Sequence, residues 1–183
     1  MLCAVAGLTS DANILVNYAR VGAQRYLLTY GSQQPVEQLV QNVCNYKQAY
    51  TQFGGQRPFG VSFLYAGYDK YYGFQLYHSD PSGNYGGWIA TAIGANNRAA
   101  KNMLKNEIKE EGALSTIDEA LMLAVKVMSK SMDTSIPSSE KIEFTTLTLD
   151  KDTKEVKTRY LNDGEVKVLL ERFEKEKESA EDK

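Results

Sequence analysis

Residues 50–60 read Tyr50-Thr51-Gln52-Phe53-Gly54-Gly55-Gln56-Arg57-Pro58-Phe59-Gly60. The stretch joins a helical pattern to a strand pattern. Upstream, Val36, Leu39, Val40, Val43, Lys47 and Tyr50 recur at i, i+3, i+4, i+7 spacing, with Lys47 as the one polar exception. Downstream, Phe59, Val61, Phe63 and Tyr65 alternate along a strand that runs to Tyr68. Gly54 and Gly55 let the chain leave the helix sharply. Pro58 fixes its own φ and keeps Gln56-Arg57 extended before the strand. Arg57 then has two readings. It latches an acid or carbonyls of its own subunit, or it reaches a neighbouring one.

Working outward, Leu2 to Ala6 is a short apolar run that reads as a buried strand closed by Gly7. Thr9-Ser10-Asp11 supply helix N-cap chemistry, and Ile14, Leu15, Tyr18, Val21, Gly22 and Leu28 follow at helical spacing toward a stop at Gly31. Pro35 suits the start of the next helix. Tyr72 to Tyr77 pairs back on the preceding strand. Asp80-Pro81-Ser82-Gly83-Asn84 is a dense turn signal, and Trp88 to Ile93 reads as a third short strand. A helix from Asn97 to about Glu110 follows. Another starts at Thr116, with Glu119 completing a capping box. Lys141 to Leu149 and Glu155 to Leu161 form a hairpin, and Asn162 with Glu165 caps a last helix. The order is β-α-α-β-β-β-α-α-β-β-α. Tight turns imply antiparallel pairing, so the class is α+β. Residues 1–173 read as one domain and 174–183 as a charged tail that frays.

Composition narrows the function classes. The chain has 183 residues and a net charge of −2, with cations interleaved among acids, so nucleic acid is not an expected partner. No apolar run reaches the ~20 residues that span a bilayer, so no membrane partner is expected either. The first residues lack signal-peptide features, which points to an intracellular protein. Cys3 and Cys44 read as two reduced thiols packed as small apolar groups.

Catalytic motifs are missing. There is no Gly-x-Ser-x-Gly, no His-Glu-x-x-His and no Cys-x-x-Cys. His78 is the only histidine and reads as a surface or turn residue. Asp80 to Gly83 lacks the alternating acids of a calcium loop and reads as a plain turn. These motifs single out no metal, cofactor or catalytic residue. Tyr65, Tyr68, Tyr71, Tyr72, Tyr77 and Tyr85 crowd one hairpin and its exit loop, where tyrosine serves core packing and protein contact equally well.

The stretch at residues 50–60 resembles the signature of the alpha subunits of the proteasome core particle, in which Gln…Arg-Pro-Phe-Gly separates alpha from beta subunits. Two further stretches agree, Ala6-Gly7-Leu8-Thr9-Ser10-Asp11-Ala12 and Asp80-Pro81-Ser82-Gly83-Asn84-Tyr85-Gly86-Gly87-Trp88. The likeness runs along essentially the whole chain. It implies an αββα sandwich of the N-terminal nucleophile hydrolase type, with two stacked antiparallel sheets between helices. It further implies a non-catalytic member of a seven-membered ring that gates substrate entry and docks regulatory particles, in ubiquitin-dependent protein degradation in cytoplasm and nucleus. The implied partners are other proteasome alpha and beta subunits and proteasome regulatory particles. Gln52, Gly54, Gly55, Arg57, Pro58, Phe59 and Gly60 are the signature and subunit-contact candidates. Gly7 and Leu8 match the backbone part of the pocket that accepts regulator tails.

In that family a gate tail, a helix and three strands precede the position of Leu2, so this length of chain is expected to leave sheet edges open and to self-associate. Two rival classes are an N-terminal threonine peptidase of the same fold and a free-standing binding module. The peptidase would need its nucleophile first on a strand, whereas Thr9 sits at a helix start.

Overall fold

Alternation from Val61 to Tyr65 is the organising feature of the first half of the chain. Val61, Phe63 and Tyr65 are buried, and the residues between them are half-exposed. A computed structural model describes residues 1–108, 116–132, 138–150 and 152–181. They form two compact units, Met1–Gly94 and Ala95–Lys183.

In the first unit, β1 (Leu2–Gly7) is followed by α1 (Thr9–Tyr30), α2 (Val36–Gln52), β2 (Val61–Asp69), β3 (Gly73–Ser79) and β4 (Tyr85–Gly87). The sheet order is β1-β2-β3-β4, and every pair is antiparallel. The inward sheet side chains meet Ala12 and Leu15 of α1 and Val40, Val43 and Cys44 of α2 in one core. Burying each large apolar side chain there contributes about 1.5–3 kcal/mol, which makes this seam the main stabilising contact of the unit.

The helical stripe expected on α1 is covered only at its first turns. Leu15 is buried, whereas Ile14, Tyr18, Val21 and Leu28 are exposed. A helix of 22 residues is roughly 33 Å long and outruns the sheet edge that its first turns cover. The strand expected at Trp88–Ile93 is displaced to Tyr85–Gly87. The Trp88 N–H still donates to Leu76 O at 2.9 Å, and the chain then bends away. β3 runs on to Gly73, but the chain bends at Ile89 and Ala90 and leaves the ladder, so the apolar run forms no strand with it. Of the two thiols, Cys44 is buried as expected, but Cys3 lies exposed on β1.

In the second unit, α3 (Asn97–Glu107) and α4 (Ile117–Ser131) precede a single 3-10 turn at Ser139–Lys141. The hairpin of β5 (Thr145–Leu149) and β6 (Val156–Tyr160) and then α5 (Asp163–Glu181) complete it. The reading of α3 as far as Glu110 extends past Ile108 into residues outside those described. Val125 of α4, Ile142 and Phe144 before β5, and Val166, Leu169 and Leu170 of α5 form its core. Both expected caps are present. Thr116 and Glu119 bond reciprocally at the start of α4, and Asn162 and Glu165 do so at α5. α5 continues into the charged tail as far as Glu181. Glu, Lys and Ala are strong helix formers, and no Gly or Pro interrupts them. Both units are α+β with antiparallel sheets. Among the described residues no helix is long and apolar enough to cross a membrane.

Candidate functional site

The junction at residues 50–60 and the segment Gly7-Leu8, 40 or more positions apart in sequence, meet at one corner. α2 ends at Gln52, whose Oε1 accepts from Gln48 Nε2 at 2.8 Å, and Phe53 leaves it in an extended conformation. Gly55 takes a φ of +88°, which suits glycine and turns the chain back. Phe59 is buried against the rings of Tyr46 and Tyr50, with centroids 5.6 and 4.7 Å away. That contact plugs the helix-to-strand junction into the core.

Arg57 is a latch within its own chain. Its guanidinium holds Asp11 in a bidentate pair, Nη1 to Oδ2 at 2.7 Å and Nη2 to Oδ1 at 2.9 Å. Nη1 also donates to Pro58 O at 3.1 Å. Asp11 Oδ2 further accepts the Gly60 N–H at 2.9 Å. The Arg57 hydrogen bond foremost, and then the Gly60 amide, hold the Asp11 carboxyl down from 3.8 to about 2. The run Thr9-Ser10-Asp11 predicts a side-chain cap for α1. Leu8 occupies the cap position instead and makes no side-chain cap. The helix begins earlier than that run suggests, so Asp11 lies inside its first turn and its carboxylate serves Arg57 with two charge-assisted bonds. The Arg57 side chain remains two-thirds exposed beside an almost wholly buried Asp11, so its outer face is open to a further contact.

Gly7 and Leu8 sit against the same backbone. The Leu8 N–H donates to Gly60 O at 2.9 Å, and Gly7 is paired with Val61. Gly7 has a φ of +127°, and a Cβ there would lie 2.2 Å from Gly60 O. A Cβ on Gly60 would lie 2.8 Å from Leu8 Cδ1. Gly7 is therefore needed for the two backbones to pass this closely, whereas a Cβ on Gly60 would meet only the movable end of the Leu8 side chain. The Leu8 side chain is half-exposed at the corner.

Beneath the corner lies a polar group that the sequence marks only as an exception. Lys47 is completely buried. Its Nζ donates to Val61 O at 3.1 Å and to Ser79 Oγ at 3.0 Å, and it stands 5.4 Å from the centroid of the Phe63 ring. Ser79 Oγ also shares a 3.0 Å hydrogen bond with Tyr65 Oη. Burial foremost brings the Lys47 ammonium down from 10.5 to about 8, while Cys44 and Asp80 pull the other way. Burial likewise pushes the Tyr65 phenol up.

The other candidates are structural. Asp80 Oδ1 accepts from Ser82 N, Ser82 Oγ and Asn84 N, which makes residues 80–84 a self-bonded turn. His78 lies half-buried within β3, because the strand runs on to Ser79. Of the tyrosines, Tyr65 is core, Tyr77 and Tyr85 pack at its edge, and Tyr71 and Tyr72 are exposed. Among the described residues no group of three or more His, Cys, Asp or Glu could hold a metal ion.

The model of the proteasome subunit family matches residues 1–147. Proteasome subunit alpha type-4 of Spinacia oleracea is 64% identical over 142 residues, 78% of this chain and 56% of that relative. The alpha type-4-A subunit of Arabidopsis thaliana is 62% identical over the same shares. The alpha type-4-1 subunit of Oryza sativa subsp. indica is 58% identical over 156 residues, 85% of this chain and 61% of the relative. The chain thus spans under two thirds of the length of these relatives. On that match and this extent of identity, the chain belongs to the proteasome subunit family.

Proposed function

We propose that the chain acts as a non-catalytic alpha-ring subunit of the proteasome core particle. The observation that carries this is the corner. The alpha-type stretch Gln52 to Gly60 is latched by Arg57 to Asp11 and backed on Gly7 and Leu8. Relatives at 58–64% identity bear alpha type-4 names. In this reading the subunit works by shape. It joins other alpha and beta subunits in stacked rings, helps gate substrate entry and presents Gly7 and Leu8 to the C-terminal tails of regulatory particles. The exposed apolar stripe Ile14, Tyr18, Val21 and Leu28 on α1 supports an interface with a neighbouring chain. Residues 1–173 are read as one alpha-type domain, supported by a family match that runs through the division at residue 94. Cytoplasm and nucleus are the expected compartments.

Native mass spectrometry of the full-length endogenous protein tests the proposal. Recovery in a particle of two alpha and two beta rings is the expected result. Recovery only as a free monomer, or with peptidase activity of its own, overturns it.

A further inference from the structure

The lysine beneath the corner answers a gap in the sheet. The Leu8 N–H bonds Gly60 O, which makes Gly7 and Val61 a non-hydrogen-bonded pair and turns the Val61 carbonyl toward the β3 side. The β2–β3 ladder begins at Phe63 and Ser79, so no β3 residue stands opposite Val61. That carbonyl is one of the backbone acceptors that folding must satisfy. Lys47, reaching from α2, supplies the donor and spends a second one on Ser79, the last residue of β3. An apolar residue at this stripe position would pack, yet it would leave Val61 O unpaired.

We propose that Lys47 is a positioning residue for the corner. From inside the fold it holds the Val61 carbonyl, and with it the backbone of Gly7, Leu8 and Gly60 that receives a regulator's C-terminal tail. This assignment rests on the reading of that corner as a tail site. Arg57 clamps the corner from the solvent side through Asp11, and Lys47 clamps it from the core. The groups facing Lys47 are Cys44 on its own helix, Tyr65 on β2, Ser79 ending β3 and Asp80 beyond it.

The test is amide hydrogen exchange on the assembled particle containing the full-length chain. Lys47→Met is expected to speed exchange in peptides covering 2–8 and 57–62 by about tenfold, the equivalent of one lost hydrogen bond to a charged donor, and to leave 145–160 unchanged. Unchanged exchange at the corner in an assembled K47M particle overturns the assignment. The pH profile is a readout that loss of packing does not mimic. When the corner opens, Lys47 regains its ordinary affinity for a proton, so the closed form binds fewer protons and opening becomes harder as pH rises. Corrected for intrinsic rates, corner exchange in the unmodified particle should slow by about fourfold between pH 7 and 8.5 and should be flat in K47M. This range lies below the titration of Cys44, whose thiol is pushed up from 9.0 mainly by burial. A flat profile in the unmodified particle overturns the assignment even where K47M fails to assemble.

Regulatory-particle binding to K47M and Leu8→Asp core particles separates the two claims. Binding weakened by both supports both. Binding weakened by L8D but not by K47M, with corner exchange unmoved, leaves the tail site standing and removes Lys47 from it. Binding indifferent to both variants removes the tail site and this assignment together.

Discussion

Replacing Gly7 and Gly22 by alanine makes the same chemical change with opposite expected signs. At Gly7 the φ of +127° is one that L side chains rarely adopt, and holding alanine there costs about 1–3 kcal/mol. The new Cβ would also lie 2.2 Å from Gly60 O. Carbon and oxygen pack no closer than roughly 3.3 Å, so that carbonyl must retreat by about 1 Å. The 2.9 Å bond from Leu8 N–H to Gly60 O then lengthens past useful range, a further ~0.5–1.5 kcal/mol. Together Gly7→Ala should destabilise by about 2–4 kcal/mol. Gly22 lies inside α1, and nothing stands within 4 Å of the place its added methyl would take, so Gly22→Ala should stabilise by about 0.5–1 kcal/mol through backbone entropy alone. Urea unfolding of the purified full-length protein, followed by far-ultraviolet circular dichroism, measures both from midpoints at constant m. A Gly7→Ala variant within about 0.5 kcal/mol of the parent, or two variants moving the same way, refutes the close-approach account of the corner.

Three further outcomes are expected. The Asp11 carboxyl is held below its ordinary range, so its contribution to stability is complete above about pH 4 and fades as pH falls toward 2; Arg57→Met should flatten that acid limb of the stability profile, and an unchanged limb counts against the latch. Phe59→Ala should cost about 3–5 kcal/mol in the same urea assay, because the ring is buried against Tyr46 and Tyr50; a loss below about 1 kcal/mol would mean that the ring is not a core plug. Thr116→Ala removes one half of a reciprocal cap and should lower stability by about 1 kcal/mol, with faster amide exchange confined to the first turn of α4; exchange unchanged there argues against the capping box.

Short-range chemistry was legible in the residues themselves. The stripe Val36, Val40, Val43 and the alternation Val61, Phe63, Tyr65 place α2 and β2 correctly, since both patterns are periods of a single element. Thr116 with Glu119 and Asn162 with Glu165 act over three residues, so their caps follow from spacing alone. The resemblance of the Gln52 to Gly60 stretch to the alpha type likewise lies in the residues alone. Tertiary structure decided what depends on register between distant segments. Arg57 finds Asp11 from 46 positions away, and the helix begins at Thr9 rather than being capped by the Thr9-Ser10-Asp11 run. Lys47 has its backbone partner only because β2 starts ahead of the β3 ladder and leaves one carbonyl unmatched. The apolar run at Trp88 and the stripe on α1 have strand and helix patterning in full. Whether they pair or are buried depends on what lies beside them, and no local pattern carries that information.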